Sequence, residues 1–143
     1  MDLNIKINDK GHLDIGGADA CDIVAEYGTP IYVIDENRIR ERCRTYVNAM
    51  KEAFGESALP LYASKAASFK QIYRIIGQEG MGTDVVSAGE IFTAHAAGFP
   101  LSRAYFHGNN KTADEIDFAI KSDLGTFIAD NSYELNTINK TAN

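Results

Sequence analysis

Four short apolar runs recur through the second half of this sequence, spaced by roughly 20 residues and with no hairpin turn between them. They are Leu61-Tyr62-Ala63, Thr83-Asp84-Val85-Val86, Arg103-Ala104-Tyr105-Phe106 and Thr126-Phe127-Ile128-Ala129. Each is followed by a helix-start signature: Ser68-x-x-Gln71, Ser87-x-x-Glu90, Thr112-x-x-Glu115 and Asn131-x-x-Glu134. In such a box the first side chain accepts a backbone N–H of the first helical turn and the fourth reaches back; Asn is a looser member. Apolar residues then fall on one side of each helix, as Phe69/Ile72/Tyr73/Ile76, Ile91/Phe92/His95, Ile116/Ala119/Ile120 and Leu135/Ile138. Strands joined through helices run parallel, and a parallel sheet needs helices over it. The spacing predicts parallel strands near 60–64, 82–86, 103–107 and 126–129, neighbours in sequence order. The missing LxxLxL signature and the unequal lengths of the units argue against a leucine-rich repeat.

The number of units bears on architecture. A closed (β/α)8 barrel takes eight strand–helix units over roughly 250 residues, whereas this chain of 143 residues carries four. An open α/β sheet or half of a barrel both satisfy the pattern. Upstream, Asn4 to Gly17 reads as a short strand and turn, with Ile5 and Ile7 alternating. Asp19 to Tyr27 reads as a short helix. Residues 29–34, Thr-Pro-Ile-Tyr-Val-Ile, form a β-branched and aromatic run, predicted as a strand with Pro at its start. Asp35 can cap the next element, an amphipathic helix over Glu36–Phe54 with Ile39, Cys43, Tyr46, Val47, Met50 and Phe54 on one face.

Composition removes several function classes. A net charge of −6 argues against a nucleic-acid surface, which needs clustered Lys and Arg. No run approaches the roughly 20 apolar residues of a membrane helix, and Met1 to Lys6 lacks the features of a signal peptide. Cys21 and Cys43 have no CxxC spacing, so no metal site or redox pair is expected. Both fall in helical patterns and read as packing residues of a protein in the reducing cytoplasm.

Lys65, at the end of the first parallel strand, is the sharpest chemical candidate. Sites in parallel sheets form at the carboxyl ends of the strands, and a lysine beside apolar groups can become a Schiff-base nucleophile. Tyr62, Ala63 and Ala66 offer a small, mostly apolar collar. By position alone, a solvated lysine opening a loop is the commoner account of such a residue. Glu90 is explained either as an acid of a site or as the capping residue of Ser87-x-x-Glu90. His107, ending the third strand, can face a pocket there, whereas His95 lies on a helix and His12 in a turn. Asn109 and Asn110 shape the turn before Thr112.

Leu61-Tyr62-Ala63-Ser64-Lys65-Ala66 resembles the Tyr-Ala-x-Lys strand end of the alanine-racemase-like, fold-type III pyridoxal-phosphate enzymes. Gly82-Thr83-Asp84-Val85-Val86-Ser87-Ala88-Gly89-Glu90 is similar to the second motif of their decarboxylase branch. Two further stretches resemble the diaminopimelate decarboxylases of that branch. They are Ile15-Gly16-Gly17 leading to Tyr27-Gly28-Thr29-Pro30-Ile31-Tyr32-Val33-Ile34-Asp35, and Phe106-His107-Gly108-Asn109-Asn110-Lys111.

The resemblance implies a partial (β/α)8 TIM barrel of about four βα units over residues 36–143. Residues 1–35 would be an amino-terminal segment contributing to an accessory β-domain. It implies pyridoxal 5′-phosphate as cofactor, a Schiff base at Lys65, and a cofactor site drawing on Ala63, Asp84 and Glu90; His107 is added to that site by its position at the strand end, since the family's ring-stacking histidine lies later in the barrel. The implied reaction is decarboxylation of meso-2,6-diaminopimelate to L-lysine, with an amino acid as small-molecule substrate and a homodimer for the full-length parent. The resemblance leaves open ornithine-, arginine- or carboxynorspermidine-type decarboxylases and a non-catalytic pyridoxal-phosphate carrier. The family's glycine-rich phosphate loop, its substrate arginines and its late cysteine and tyrosine have no counterpart here. The chain is therefore expected to be an amino-terminal portion, inactive on its own.

Overall fold

The structure is a computed structural model that describes residues 4–142. Met1 to Leu3 and Asn143, the outer ends of the two expected domains, lie outside the described residues. The chain divides into two compact units, Met1–Arg42 and Cys43–Asn143.

In the first unit, β1 (Ile5–Ile7), β2 (Leu13–Ile15) and β3 (Ala18–Asp19) form an antiparallel meander in that order. Asn8 Oδ1 accepts the N–H groups of Lys10 and His12, both at 3.0 Å, which closes the first turn. Asp14 is buried and accepts the Gly17 N–H at 2.9 Å, holding the tight β2–β3 connection. Gly16 there has φ +60°, and a Cβ on it would lie 2.7 Å from the Asp35 carboxylate, so only glycine fits. Asp19 ends β3 and caps α1 (Ala20–Tyr27), accepting from the Cys21 N–H at 2.8 Å. Asp35 caps α2 (Glu36–Phe54), as its placement in the sequence predicts, through the Arg38 N–H at 3.1 Å.

Residues 29–34 depart from expectation: they are not a strand. A β-prone run becomes a strand only where a neighbour exchanges backbone hydrogen bonds with it. Among the described residues none does, and Tyr32 is 98% exposed. Cys21 is likewise exposed rather than a packing residue, because it sits in the first turn of a helix with no buried side chain.

The second unit carries the predicted parallel sheet. Strands β4 (Leu61–Ala63), β5 (Gly82–Val85), β6 (Ala104–Phe106) and β7 (Thr126–Phe127) are neighbours in sequence order and all parallel, each no longer than the run that predicts it. Between and after them come α3 (Lys70–Gln78), α4 (Ala88–Ala96), α5 (Ala113–Lys121) and α6 (Ser132–Ala142). Side chains alternate across the sheet. Thr83, Val85, Ala104 and Phe106 share one face and are fully buried. Ile72, Tyr73, Ile75 and Ile76 of α3, Ile91 and Ala94 of α4, and Ile116 and Ala119 of α5 are buried with them, so this face is the core. Gly82 is the tight point: a Cβ there would lie 2.6 Å from Leu61 Cδ2 and 2.7 Å from the Arg103 carbonyl.

The helix starts follow the signatures unevenly. Thr112 and Glu115 form a complete capping box. Ser87 caps α4 by accepting the Glu90 N–H, and Asn131 accepts the Glu134 N–H at 2.9 Å. Ser68 caps nothing; the N-cap position of α3 is Phe69, and the Ser68 hydroxyl bonds to the Tyr73 hydroxyl at 3.0 Å. Several expected packing faces are narrower than their periodicity. Phe92 and His95 of α4, Leu135 of α6, and Tyr46 and Phe54 of α2 are exposed, while Ile91, Ala94, Glu134 and Cys43 take the buried positions. Helical spacing marks a stripe, and which flank of it is covered depends on the neighbours each helix meets.

Truncating Phe106 to Ala should destabilise the chain by about 3–5 kcal/mol in urea denaturation, through lost burial and the cavity left behind. Leu135→Ala, on the exposed side of α6, should change stability by no more than about 0.5 kcal/mol.

Candidate functional site

The sheet face opposite the core carries the candidate chemistry. Register pairs Ala63 with Asp84, Asp84 with Tyr105 and Tyr105 with Thr126, so these four form one row across the sheet on that face. The ladder continues past the strand ends: His107 N–H donates to Val85 O at 2.9 Å, and Ile128 N–H donates to Phe106 O at 3.0 Å. His107 and Ile128 therefore stand one step nearer the carboxyl edge. With Leu61, Ala63, Asp84 and Tyr105 they line a concavity of about 370 Å³. Its walls combine an aromatic ring and aliphatic groups with one carboxylate and one imidazole, the mixture of apolar surface and few polar groups that small-molecule sites use.

Lys65 leaves the sheet in a 3₁₀ turn, Ser64–Ala66, directly after β4. Its side chain is exposed at the same carboxyl edge but outside the lining of the concavity. The turn is held from both ends. Buried Ser64 donates to the Asp84 carbonyl at 2.8 Å, tying the turn to β5. The Tyr62 hydroxyl donates to Ala67 O at 3.0 Å, closing its exit. Burial raises the Tyr62 pKa, against the effect of that bond. Burial raises the Tyr73 pKa as well, with the hydrogen bonds to Ser68 and Ser64 opposing it. Both phenols are thus held in the protonated form more firmly than a free tyrosine. Tyr62 is consequently no collar around Lys65. Alternation sends it to the helix-covered face, away from Ala63, while Lys65 is open to solvent.

Glu90 stays off the concavity, with its carboxylate on the Val86 N–H at 2.6 Å while Ser87 caps the helix. Of the sequence candidates, Ala63, Asp84 and His107 are brought together, Lys65 stands beside them, and Glu90 is engaged with backbone. In the first unit, His12, Asp19 and Cys21 bring possible metal-ligand atoms within 4.8 Å of one another. Asp19 is already taken up there by Asn8 (2.9 Å), His12 (3.0 Å) and the Cys21 N–H, with Lys10 at 3.6 Å. Burial opposes its ionisation, yet these bonds hold its carboxyl well below the usual carboxylate range. The arrangement is the cap of α1.

Sequence reasoning missed a buried ion pair. The side chains of Lys111 and Glu134 are 1% and 5% exposed and bonded to each other. Lys111 Nζ also donates to Gly108 O at 2.6 Å and Ile128 O at 2.8 Å, so all three of its protons are used. Glu134 Oε2 accepts the Asp130 N–H at 3.0 Å. The only sequence signals were the Lys ending His107-Gly108-Asn109-Asn110-Lys111 and a glutamate already accounted for as a cap.

Residues 36–143 match the model of the pyridoxal-dependent decarboxylases, pyridoxal binding domain. The chain belongs to this family. It is 45% identical over 133 residues to a diaminopimelate decarboxylase of Bacillus methanolicus, covering 93% of this chain and 31% of that protein. It is 46% identical over 128 residues to the Bacillus subtilis enzyme of that name, covering 90% of this chain and 29% of that one. Among solved structures, a diaminopimelate decarboxylase from M. jannaschii in complex with L-lysine superposes with a TM-score of 0.86 at 35% identity. That match covers 96% of this chain and 32% of that one. The chain thus spans about a third of the length of these relatives. The cofactor of this pyridoxal-dependent family is pyridoxal 5′-phosphate. Among the described residues, no helix is long and apolar enough to cross a membrane.

The Glu134 carboxyl of this decarboxylase-family chain generates a pH prediction. Burial opposes its charge, but the Lys111 and Asp130 N–H bonds and the Lys111 charge hold its pKa below the ordinary 4.5. A carboxyl depressed in the folded state stabilises above its ordinary value and loses that contribution as pH falls through the folded one. Unfolding free energy should therefore fall below about pH 4.5 with a component that Glu134→Gln removes, measured by urea titration across the acid range.

Proposed function

We propose that this chain is the amino-terminal portion of a pyridoxal 5′-phosphate-dependent decarboxylase converting meso-2,6-diaminopimelate to L-lysine. In this reading residues 36–143 form the first half of a (β/α)8 barrel, and residues 1–35 contribute to a separate β-domain. The support for the half-barrel is four parallel strands in sequence order with one face under helices and the other open. The names of the relatives support the substrate, and the working protein would be a homodimer.

The observation that carries the proposal is Lys65, placed by a bonded turn at the carboxyl edge where Asp84 and His107 border an apolar concavity. The residues fit the cofactor's chemistry: a solvent-accessible amine to bond the aldehyde, and an aromatic and aliphatic wall against which a flat ring can lie. Once linked, the cofactor supplies the electron sink into which the pair released with carbon dioxide is drawn. Lys65 would hold the cofactor covalently and, with its amine free, would serve as a movable base beside it. Asp84, fixed in the central row of the sheet, favours the protonated form of a nearby nitrogen. Ala63 is small and keeps the concavity open beside Asp84, and His107 lines the same concavity, so both would border a bound cofactor. Glu90, with its carboxylate on the Val86 N–H, would shape the edge of the site through that backbone bond. The N-termini of α4 and α5 are already occupied by Ser87 and Thr112, so the phosphate is assigned no residue of this chain.

In the holoenzyme carrying this chain, Lys65→Ala should abolish both the absorbance of the lysine-linked cofactor and turnover. Lys65→Arg should fail equally, since a guanidinium does not form the link. Retention of covalently bound cofactor by Lys65→Ala, shown by borohydride reduction and peptide mapping, would overturn the assignment.

A further inference from the structure

Lys111 places a fully buried ammonium behind the rim of the concavity, and its bonds have a particular distribution. Two of its protons go to backbone carbonyls in different loops: Gly108 O, in the loop after β6, and Ile128 O, in the loop after β7. The third goes to Glu134 on α6, whose other oxygen holds the Asp130 N–H of the second loop. The ammonium also lies 5.4 Å from the centre of the Phe106 ring, under the end of β6. Each carbonyl it grips belongs to, or directly follows, a residue of the cavity wall. His107 precedes Gly108, and Ile128 is itself in the lining. Gly108 has φ +114°, a conformation other residues rarely adopt, so the peptide that turns its carbonyl toward Lys111 depends on glycine there.

A buried ion pair in a small α/β unit is a poor way to gain stability, since apolar residues of similar volume often do as well. What it gives here is direction. One cation with three fixed acceptors couples two neighbouring loops, and swinging either carbonyl away leaves a buried donor unmet. We propose that Lys111 is a positioning residue for the candidate site: through its two carbonyl bonds it sets where His107 and Ile128 stand on the rim, with Glu134 balancing the charge of the ammonium. The inference deepens the proposed function and rests on its reading of the concavity as the cofactor site. Glu134 acts on the ammonium, whereas Lys111 acts on the rim, and that difference separates this role from plain stabilisation.

The test uses the full chain and three variants. Lys111→Met alone strands the Glu134 carboxylate and should unfold readily. Lys111→Met combined with Glu134→Leu removes both charges and should recover cooperative urea unfolding. Glu134→Gln keeps the ammonium on its two carbonyls. In ¹H–¹³C spectra, the His107 ring and Ile128 methyl signals should shift and broaden in the paired variant while Glu134→Gln leaves them near their wild-type positions. In the holoenzyme, the paired variant should slow bonding of pyridoxal 5′-phosphate to Lys65 on the order of ten- to a hundredfold, as misplacement by about an ångström does. Wild-type His107 and Ile128 signals in a stably folded paired variant would overturn the proposal. Should the paired variant not fold, Glu134→Gln decides alone: rim signals displaced there would show that the ammonium-to-carbonyl bonds do not set the rim. Failure of the wild-type holoenzyme to bond the cofactor at Lys65 would instead sink the proposed function, and the rim signals would still judge Lys111.

Discussion

Alternate residues of a strand point to opposite faces, and the second unit depends on which set the helices cover. Thr83, Val85, Ala104 and Phe106 take the covered side, where burial of apolar surface is the main stabilising term. That choice sends Ala63, Asp84, Tyr105 and Thr126 to the open side in one register row. A slip of a single residue in β5 would turn the Asp84 carboxylate into the apolar core and Val85 outward. The candidate chemistry is thus located by the same constraint that makes the core. Polar residues can stand on the open face because the unit does not draw its stability from it.

Position along the strand depends on a second set of bonds. Parallel strands end where their ladder hydrogen bonds run out, yet here His107 and Ile128 still donate to the neighbouring strand after the regular elements have ended. Beyond them, side chains take over the work of the ladder. Ser64 reaches the Asp84 carbonyl, Tyr62 reaches Ala67 O, and Lys111 reaches Gly108 O and Ile128 O. Loops at the carboxyl edge need such anchors because they lie outside the sheet while having to hold groups in fixed places. The buried Ser64 hydroxyl and the buried ammonium therefore stand at the edge where Lys65, Asp84 and His107 gather.

The same division explains what could be read from the sequence. Strand order, the direction of the sheet, and the starts of α2, α4, α5 and α6 were legible, because alternation, helical spacing and caps are local signals. Lys65, Asp84 and His107 could be placed at one edge because each follows or lies within an apolar run. Residues 29–34 could not be read correctly, since strand propensity says nothing about whether a pairing partner exists. The exposed side of α4 was missed for a similar reason: Phe92 and His95 lie on one flank of Ile91 and Ala94 on the other, and only the packed neighbours select the Ala94 flank. Ser68 matches a capping pattern, but Tyr73 offers its hydroxyl a partner and wins it. Lys111 and Glu134 were invisible as a pair because they lie 23 positions apart and each had an ordinary local explanation.

That last case bears on how the site holds together. Glu134 satisfies two needs with one carboxylate, accepting the Asp130 N–H at the start of α6 and the ammonium of Lys111 behind the rim. A cap costs little to place on the surface, where water completes its hydrogen bonds. Here it is buried, so the carboxylate needs a cation, and Lys111 comes from the neighbouring loop to meet it. The cation then needs further acceptors, and the carbonyls of Gly108 and Ile128 supply them. Each requirement is an elementary consequence of putting charge where water is excluded. Together they turn a helix start into a brace between two loops, one of which carries His107 and the other Ile128. Stability runs through this carboxylate and placement of the rim through the two carbonyl bonds of the ammonium, so acid that protonates Glu134 weakens the fold while those two bonds remain.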